Sequence, residues 1–230
     1  MNYGYAEAGF APTLNNKDEG ERYPIHLYHH VTTQAEIKGK DLLEIGSGRG
    51  GGASYIARYL EPGSVHGIDI SSAAVDLCSK IHTVDNLSFS EGDSENLLFS
   101  KNFYDVVLNV ESSHCYGDVD QFIKEVYRVL RPGGVFLWAD FRPVESMEGL
   151  FKKFYSSGFQ LITKKDITLN IIEALDLLTE SRKTAIGERV PKPIRKVFES
   201  YAGLRGGSIH NAFLSGELIY MSAAFKKSPK

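Results

Sequence analysis

From Lys40 to Asp140 short runs of apolar and β-branched residues alternate with stretches of helical spacing, and few folds accept that order. A run such as Tyr104–Val110 is apolar at most positions on both of its faces, so its strand must be covered on both. That is the condition of a parallel sheet held between helical layers, an α/β fold. Strands are predicted at Asp41–Ile45, Ser64–Ile70, Leu87–Glu91, Tyr104–Val110 and Gly134–Asp140. Helices are predicted between them over Gly51–Tyr59, Ala73–Ile81 and Val119–Leu130, the last stopped by Arg131-Pro132-Gly133-Gly134. After Asp140 come a helix over Met147–Ser156, a sixth strand at Phe159–Lys165, helices at Leu169–Ile186 and Ile194–Tyr201, and an alternating seventh strand at Gly216–Phe225.

Ahead of the first strand, Pro24 opens a helix predicted over Tyr23–Ile37. Residues 1–22 read as an irregular or short-helical arm, and Tyr3, Tyr5 and Phe10 within it suggest that it docks on the body. One domain is expected: an N-terminal arm (1–38), a cofactor-binding core (39–166), a helical lid (167–215) and the last strand (216–230). The lid assignment rests on length, because the helical stretch before the last strand exceeds what a connection needs.

Composition narrows the partners. With 26 basic and 29 acidic residues the net charge is −3, so no whole-molecule positive field holds a nucleic-acid backbone or an anionic membrane, and neither is expected. No apolar run approaches the roughly 20 residues of a membrane-spanning helix, and Met1-Asn2-Tyr3-Gly4-Tyr5 lacks the features of a signal peptide, so a cytoplasmic location is expected. Cys78 and Cys115 fall in a predicted helix and at a strand end and are read as reduced thiols.

The sharpest local motif is Leu42-Leu43-Glu44-Ile45-Gly46-Ser47-Gly48-Arg49-Gly50-Gly51-Gly52, an apolar strand entering a glycine loop and then a helix. Gly46, Gly48 and Gly51 also satisfy GxGxxG, so the loop alone leaves a nicotinamide enzyme open. Glu44 argues against a pyrophosphate, which a buried carboxylate would repel, and for a cationic ligand reached directly or through water. Asp69, ending the strand that runs to Ile70, is placed to accept from both hydroxyls of a ribose. Asp93, in Glu91-Gly92-Asp93-Ser94, reads either as an acceptor for the exocyclic amine of adenine or as a turn former. Its place on the same carboxyl edge as Glu44 and Asp69 favours the first.

Together, Glu44-Ile45-Gly46-Ser47-Gly48-Arg49-Gly50, Gly67-Ile68-Asp69, Glu91-Gly92-Asp93-Ser94 and Leu130-Arg131-Pro132-Gly133-Gly134 resemble the class I S-adenosylmethionine-dependent methyltransferases over roughly residues 40–140. More narrowly, His26-Leu27-Tyr28-His29-His30, Gly50-Gly51-Gly52-Ala53-Ser54-Tyr55, Asp105 through Tyr116 and Gly216-Glu217-Leu218-Ile219-Tyr220 are similar to the phthiotriolone/phenolphthiotriolone dimycocerosates methyltransferases and related polyketide-tailoring O-methyltransferases. The resemblance implies a seven-stranded, mostly parallel Rossmann-like methyltransferase sheet with an antiparallel last strand. It also implies an S-adenosyl-L-methionine site at the glycine loop, S-adenosyl-L-homocysteine as product, and methyl transfer to a hydroxyl of an apolar, polyketide-like small molecule.

An alcohol acceptor must lose a proton, so a base is needed. His114, just beyond the fourth strand, and Asp140, at the end of the neighbouring fifth, stand where such enzymes carry a histidine and an acid that orients it. Around the donor the resemblance and edge geometry place Tyr28, Glu44, Gly46, Ser47, Gly48, Asp69, Ile70, Asp93, Ser94, Asn109 and Val110. The backbone carbonyls of Asn109 and Val110 would accept from the methionine ammonium, although Val110 reads equally as core and Tyr28 as core packing. Glu111 is expected to salt-bridge the lid. His66, His82 and His210 read as ordinary strand or surface residues, and the paired lysines at 152–153, 164–165 and 226–227 as solvated faces. Ile171, Ile172, Leu175, Leu178, Phe198 and Phe213 are core or substrate wall. His26 and His30 have metal-ligand spacing but no visible third ligand, and no magnesium-type Asp/Asn cluster is seen, so metal-independent catalysis is expected. Three rivals remain: N- or C-methylation, a pyridine-nucleotide oxidoreductase, and a module that binds S-adenosylmethionine without methylating. Self-association into a homo-oligomer is left open.

Overall fold

The computed structural model describes residues 2–228 of the chain. Seven strands, β1 (Asp41–Ile45), β2 (Ser64–Asp69), β3 (Leu87–Glu91), β4 (Tyr104–Val110), β5 (Leu130–Pro143), β6 (Phe159–Asp166) and β7 (Leu218–Lys227), form one sheet in the order β3-β2-β1-β4-β5-β7-β6. The first five run parallel, and β7 lies antiparallel between β5 and β6. The helices are α1 (Arg22–Thr32), α2 (Gly51–Tyr59), α3 (Ser72–Ile81), α4 (Val119–Val129), α5 (Val144–Ser156), α6 (Thr168–Arg189), α7 (Arg195–Tyr201) and α8 (Ser208–Leu214).

Alternation along each strand divides the core into two layers. Leu42, Val106, Leu108, Leu137 and Ala139 join the layer formed with α1, α2, α6 and α8. Leu43, Ile45, Val107, Phe136 and Trp138 join the layer formed with α4 and α5. α4 shows how sequence sets an element. Asp118 caps it by accepting from the Gln121 N–H at 2.9 Å, while Phe122, Ile123, Val126 and Val129 bury one stripe under the sheet. Strand order reverses between β1 and β4, and that switch point opens a crevice at the carboxyl ends of the strands.

The boundaries of β1, β3, β4 and α2 agree with the sequence reading, and several others do not. α1 stops at Thr32, short of Ile37, where the Thr33 hydroxyl back-bonds to the His29 carbonyl at 2.7 Å and a turn follows. β5 starts at Leu130, ahead of Gly134, because Leu130 already pairs with Tyr104 and the ladder absorbs Arg131–Gly134 as an irregularity before Val135. β2 ends at Asp69, one residue before Ile70. β7 begins at Leu218, after Gly216 turns at φ +77°, and continues past Phe225 to Lys227. Cys115 sits in a 3-10 turn, Ser113–Cys115, rather than at a strand end. α8 has no counterpart in the sequence reading.

Candidate functional site

The crevice is a cavity of about 910 Å³ whose floor is the glycine loop. Gly46, Gly48 and Gly50 all adopt positive φ (+77°, +54° and +71°), so the conformationally demanding third glycine is Gly50, which precedes α2, and not Gly51 of the GxGxxG match. The loop is packed from beneath: a Cβ on Gly46 would lie 2.3 Å from the Ser112 Oγ. Tyr28, Gly46, Ser47, Gly48, Asp69, Ile70, Asp93, Ser94 and Val110 line the cavity together. Asp69 Oδ2 accepts from the Gly48 N–H at 2.8 Å and Oδ1 from the Ser71 N–H at 2.9 Å, leaving each oxygen a lone pair toward the crevice. Ile70 is 75% exposed beside it, an apolar face where a planar base would lie. Asp93 lines the cavity, and its Oδ1 accepts the Glu95 N–H at 2.8 Å as a turn former does.

Two residues placed at the donor lie behind the wall instead. Glu44 is fully buried; its Oε1 accepts the Tyr28 hydroxyl at 2.6 Å and its Oε2 has no partner among the described residues. Burial pushes its carboxyl up to about 7, although the Tyr28 hydrogen bond pulls the other way. Asn109 is also fully buried, its amide donating to the Ile45 carbonyl (2.9 Å), Ser112 Oγ (2.7 Å) and Tyr116 hydroxyl (3.0 Å). It ties β1 to the loop after β4, and Val110 alone of that pair faces the cavity.

His114 and Asp140 meet. The imidazole Nδ1–H donates to Asp140 Oδ1 at 2.8 Å, the His114 backbone N–H to Oδ2 at 2.9 Å, and the Ser113 hydroxyl to Oδ2 at 2.7 Å. Arg142 Nη1 lies 3.1 Å from Oδ2 of the same carboxylate. Burial alone would raise Asp140, but the His114 hydrogen bond and the Arg142 charge outweigh it and hold the carboxyl below its usual range. The His114 ring packs on Phe141 with centroids 4.5 Å apart. Phe141 in turn meets Tyr3, at 5.6 Å, and Phe213, at 5.9 Å. Neither member of the dyad lines the cavity, although Glu111, Ser112 and Cys115 next to His114 do, and the His114 ring is partly exposed.

Glu111 corrects the reading most. No lid residue salt-bridges it among the described residues; its Oε1 accepts the Tyr3 N–H of the arm at 2.9 Å. It lines the cavity, adopts φ +48°, and is pushed up to about 7 by burial, opposed by the Tyr3 N–H and reinforced by the nearby Asp140 charge. A left-handed glutamate at a strand end has no signature in a single sequence. Other assignments shift too. His210 is buried, with Nε2 3.0 Å from Asp176, and His82 touches the glycine loop at the Arg49 carbonyl, 2.9 Å away. Lys227 is buried and donates to the Leu130 carbonyl at 2.7 Å. Phe198 is exposed, whereas Ile171, Ile172, Leu175, Leu178 and Phe213 are buried. His26, buried, and His30, half-buried, sit in an aromatic cluster with Tyr5 and Phe10, and desolvation pushes both imidazoles down to about 4.

The donor set fits an adenosyl sulfonium. Asp69 and Asp93 put two carboxylates on the cavity wall, acceptors suited to hydroxyl and amine donors, and the glycine loop admits close approach. The unpartnered Glu44 oxygen lies beneath Tyr28, the aromatic wall. Comparison with known proteins agrees. Residues 43–138 match the family described as a methyltransferase domain. The chain is 36% identical over 228 residues to the phthiotriol/phenolphthiotriol dimycocerosates methyltransferase of Mycobacterium leprae, covering 99% of this chain and 84% of the relative. It is 36% identical to a fatty-acid O-methyltransferase of Mycolicibacterium smegmatis, covering 89% and 75%. Among solved structures, the [4+2]-cyclase SpnF matches with a TM-score of 0.77 at 18% identity, over 99% of this chain and 87% of that one. Geranyl diphosphate C-methyltransferase from Streptomyces coelicolor, solved with S-adenosyl-L-homocysteine, matches with a TM-score of 0.69 at 17% identity, over 99% and 89%. These structural likenesses show the fold.

Proposed function

Since the chain belongs to the class I S-adenosylmethionine-dependent methyltransferases, we propose that it methylates a hydroxyl of an apolar, polyketide-like or lipid-like small molecule with His114 as general base. The observation that carries this reading is the His114–Asp140 contact at 2.8 Å, which commits Nδ1 to the carboxylate and leaves Nε2 as the proton acceptor. S-adenosylmethionine, when bound, supplies a methyl group on a sulfonium. Tyr28, Ser47, Asp69, Ile70, Asp93, Ser94 and the carbonyl of Val110 would hold it, with the loop of Gly46 and Gly48 against it. Glu44 contributes through Tyr28. His114 takes the proton of the acceptor hydroxyl at Nε2, and Asp140 stabilises the imidazolium that forms. Phe141, Phe213 and Tyr3 pack into an apolar cluster beside His114, against which an apolar acceptor would lie, and Tyr3 of the arm closes over Glu111. The relatives' names, a phthiotriol/phenolphthiotriol dimycocerosates methyltransferase and a fatty-acid O-methyltransferase, support an apolar oxygen acceptor.

His114→Ala and Asp140→Asn should each lower kcat by on the order of 10² to 10⁴ on secondary-alcohol or phenolic polyketides, with S-adenosylhomocysteine affinity unchanged by calorimetry. Full activity in both variants overturns the base. A second reading, methylation of nitrogen or carbon, draws support from Glu111, a carboxylate that lines the cavity where His114 does not. That reading calls for Glu111→Gln to abolish turnover while His114→Ala retains most of it.

A further inference from the structure

The Asp140 carboxylate is fully buried and has two cationic or cation-forming neighbours, one on each oxygen. His114 takes Oδ1, and Arg142 lies 3.1 Å from Oδ2. Arg142 is held there independently of that contact. Its Nη1 donates to the Phe141 carbonyl at 2.6 Å and its Nη2 to the Ser113 Oγ at 3.0 Å. Ser113 is itself fixed by the Trp138 indole N–H at 2.9 Å and donates to Asp140. The guanidinium is therefore part of a closed network of Trp138, Ser113, Asp140 and Arg142, not a surface charge resting on a carboxylate. Its side chain is only 13% exposed.

A carboxylate whose only partner is an imidazole lends its whole field to the imidazolium and makes it hard to deprotonate. A carboxylate that also faces a fixed guanidinium lends less. We propose that Arg142 is a positioning residue of the methyl transfer: by sharing Asp140 with His114 it fixes the carboxylate in place and tempers its pull on the proton that the imidazole takes up. The inference rests on the reading of His114 as base. The other groups facing this carboxylate are Glu111 at the end of β4, Tyr3 of the arm, Tyr116 after the 3-10 turn and Tyr220 of β7. Arg182 of α6 faces Glu111 and Tyr3. The tyrosines are held neutral by burial, so Arg142 is the fixed cation in direct contact with the carboxylate.

The test is the pH profile of kcat/KM for wild type, Arg142→Gln, Arg142→Lys and His114→Ala, with S-adenosylhomocysteine affinity measured on each. Removing the charge in Arg142→Gln should move the acid limb upward by roughly one to two pH units, with activity lost at neutral pH recovering as pH rises. Arg142→Lys, which keeps the charge but not the two-pronged bonding, should return the limb close to the wild-type position with a lower melting temperature. If Arg142→Gln does not fold, Arg142→Met preserves the packing of the stem and carries the same readout. An unmoved limb in the uncharged variant, with His114→Ala inactive, overturns the role of Arg142 and leaves the base standing. Wild-type turnover in His114→Ala overturns the base, and the inference with it.

Discussion

At the scale of single residues, the unusual feature is how much ionisable chemistry is buried behind the cavity wall. Glu44 binds its proton more tightly folded, at about 7, than a free carboxyl at 4.5 does, so its contribution to stability is complete below about pH 4.5 and is lost as pH rises toward 7. The stability of wild type minus that of Glu44→Gln should fall by on the order of 3 kcal/mol between pH 4.5 and 7.5, read by urea denaturation of ligand-free protein. His26 and the half-buried His30 act in the opposite sense. Their depressed values give stability that is present above pH 6.5 and lost as pH falls through about 4. The variant should therefore show stability rising with pH between 4.5 and 6.5, where wild type is flatter. Gly52 offers a second test. It lies inside α2, where alanine is the better helix former by about 1 kcal/mol. A Cβ there would nonetheless lie 1.9 Å from the Tyr28 ring, so the clash wins. Gly52→Ala should cost more than about 2 kcal/mol in thermal unfolding and weaken S-adenosylhomocysteine binding, because Tyr28 must leave both Glu44 and the cavity.

At the scale of elements, the N-terminal arm and helix α6 depend on each other. Arg182 of α6 donates to the carbonyls of Asn2 (2.9 Å) and Ala202 (2.7 Å), and Asn170 of the same helix donates to the Ala6 carbonyl at 2.8 Å. Arg182→Ala should raise amide exchange across residues 2–10 and raise the acceptor KM more than it lowers kcat, since Tyr3 of the arm packs on the aromatic cluster beside His114 rather than supplying the base. Within the sheet, Phe225 of β7 is fully buried with Phe136, Phe154 and Phe159 around it, so Phe225→Ala should cost about 3–5 kcal/mol in chemical denaturation. What the sequence made legible follows the same physics. β1, β3 and β4 could be bounded to the residue because turn-forming residues flank them and their apolar positions have one place to go. α8 escaped because its seven residues bury only His210 and Phe213, too little to impress a period. The positions of His114, Asp69 and Asp93 were legible because each sits at or just past a strand's carboxyl end, and that of Asp140 because it follows Ala139, the partner of Val110 at the end of β4, although β5 itself runs on to Pro143. Arg142 and Glu111 were not, because their roles depend on which strand lies alongside and on a left-handed backbone turn.

At the scale of the whole molecule, the donor should act as a large part of the fold's stability, since the cavity joins residues from β1, β2, β4, α1 and the segment before it. S-adenosylhomocysteine at a hundred times its Kd should stabilise the protein by about 2.7 kcal/mol, and NAD at the same concentration should leave the melting temperature unchanged. No helix among the described residues is long and apolar enough to cross a membrane. The sheet order has a further consequence for how the chain is made. β6 pairs only with β7, and β7 is inserted between it and β5. Until residues 218–227 emerge from the ribosome, β5 keeps an open edge and β6 has nothing to pair with, so a stalled nascent chain presents two unpaired strands to its neighbours and to chaperones.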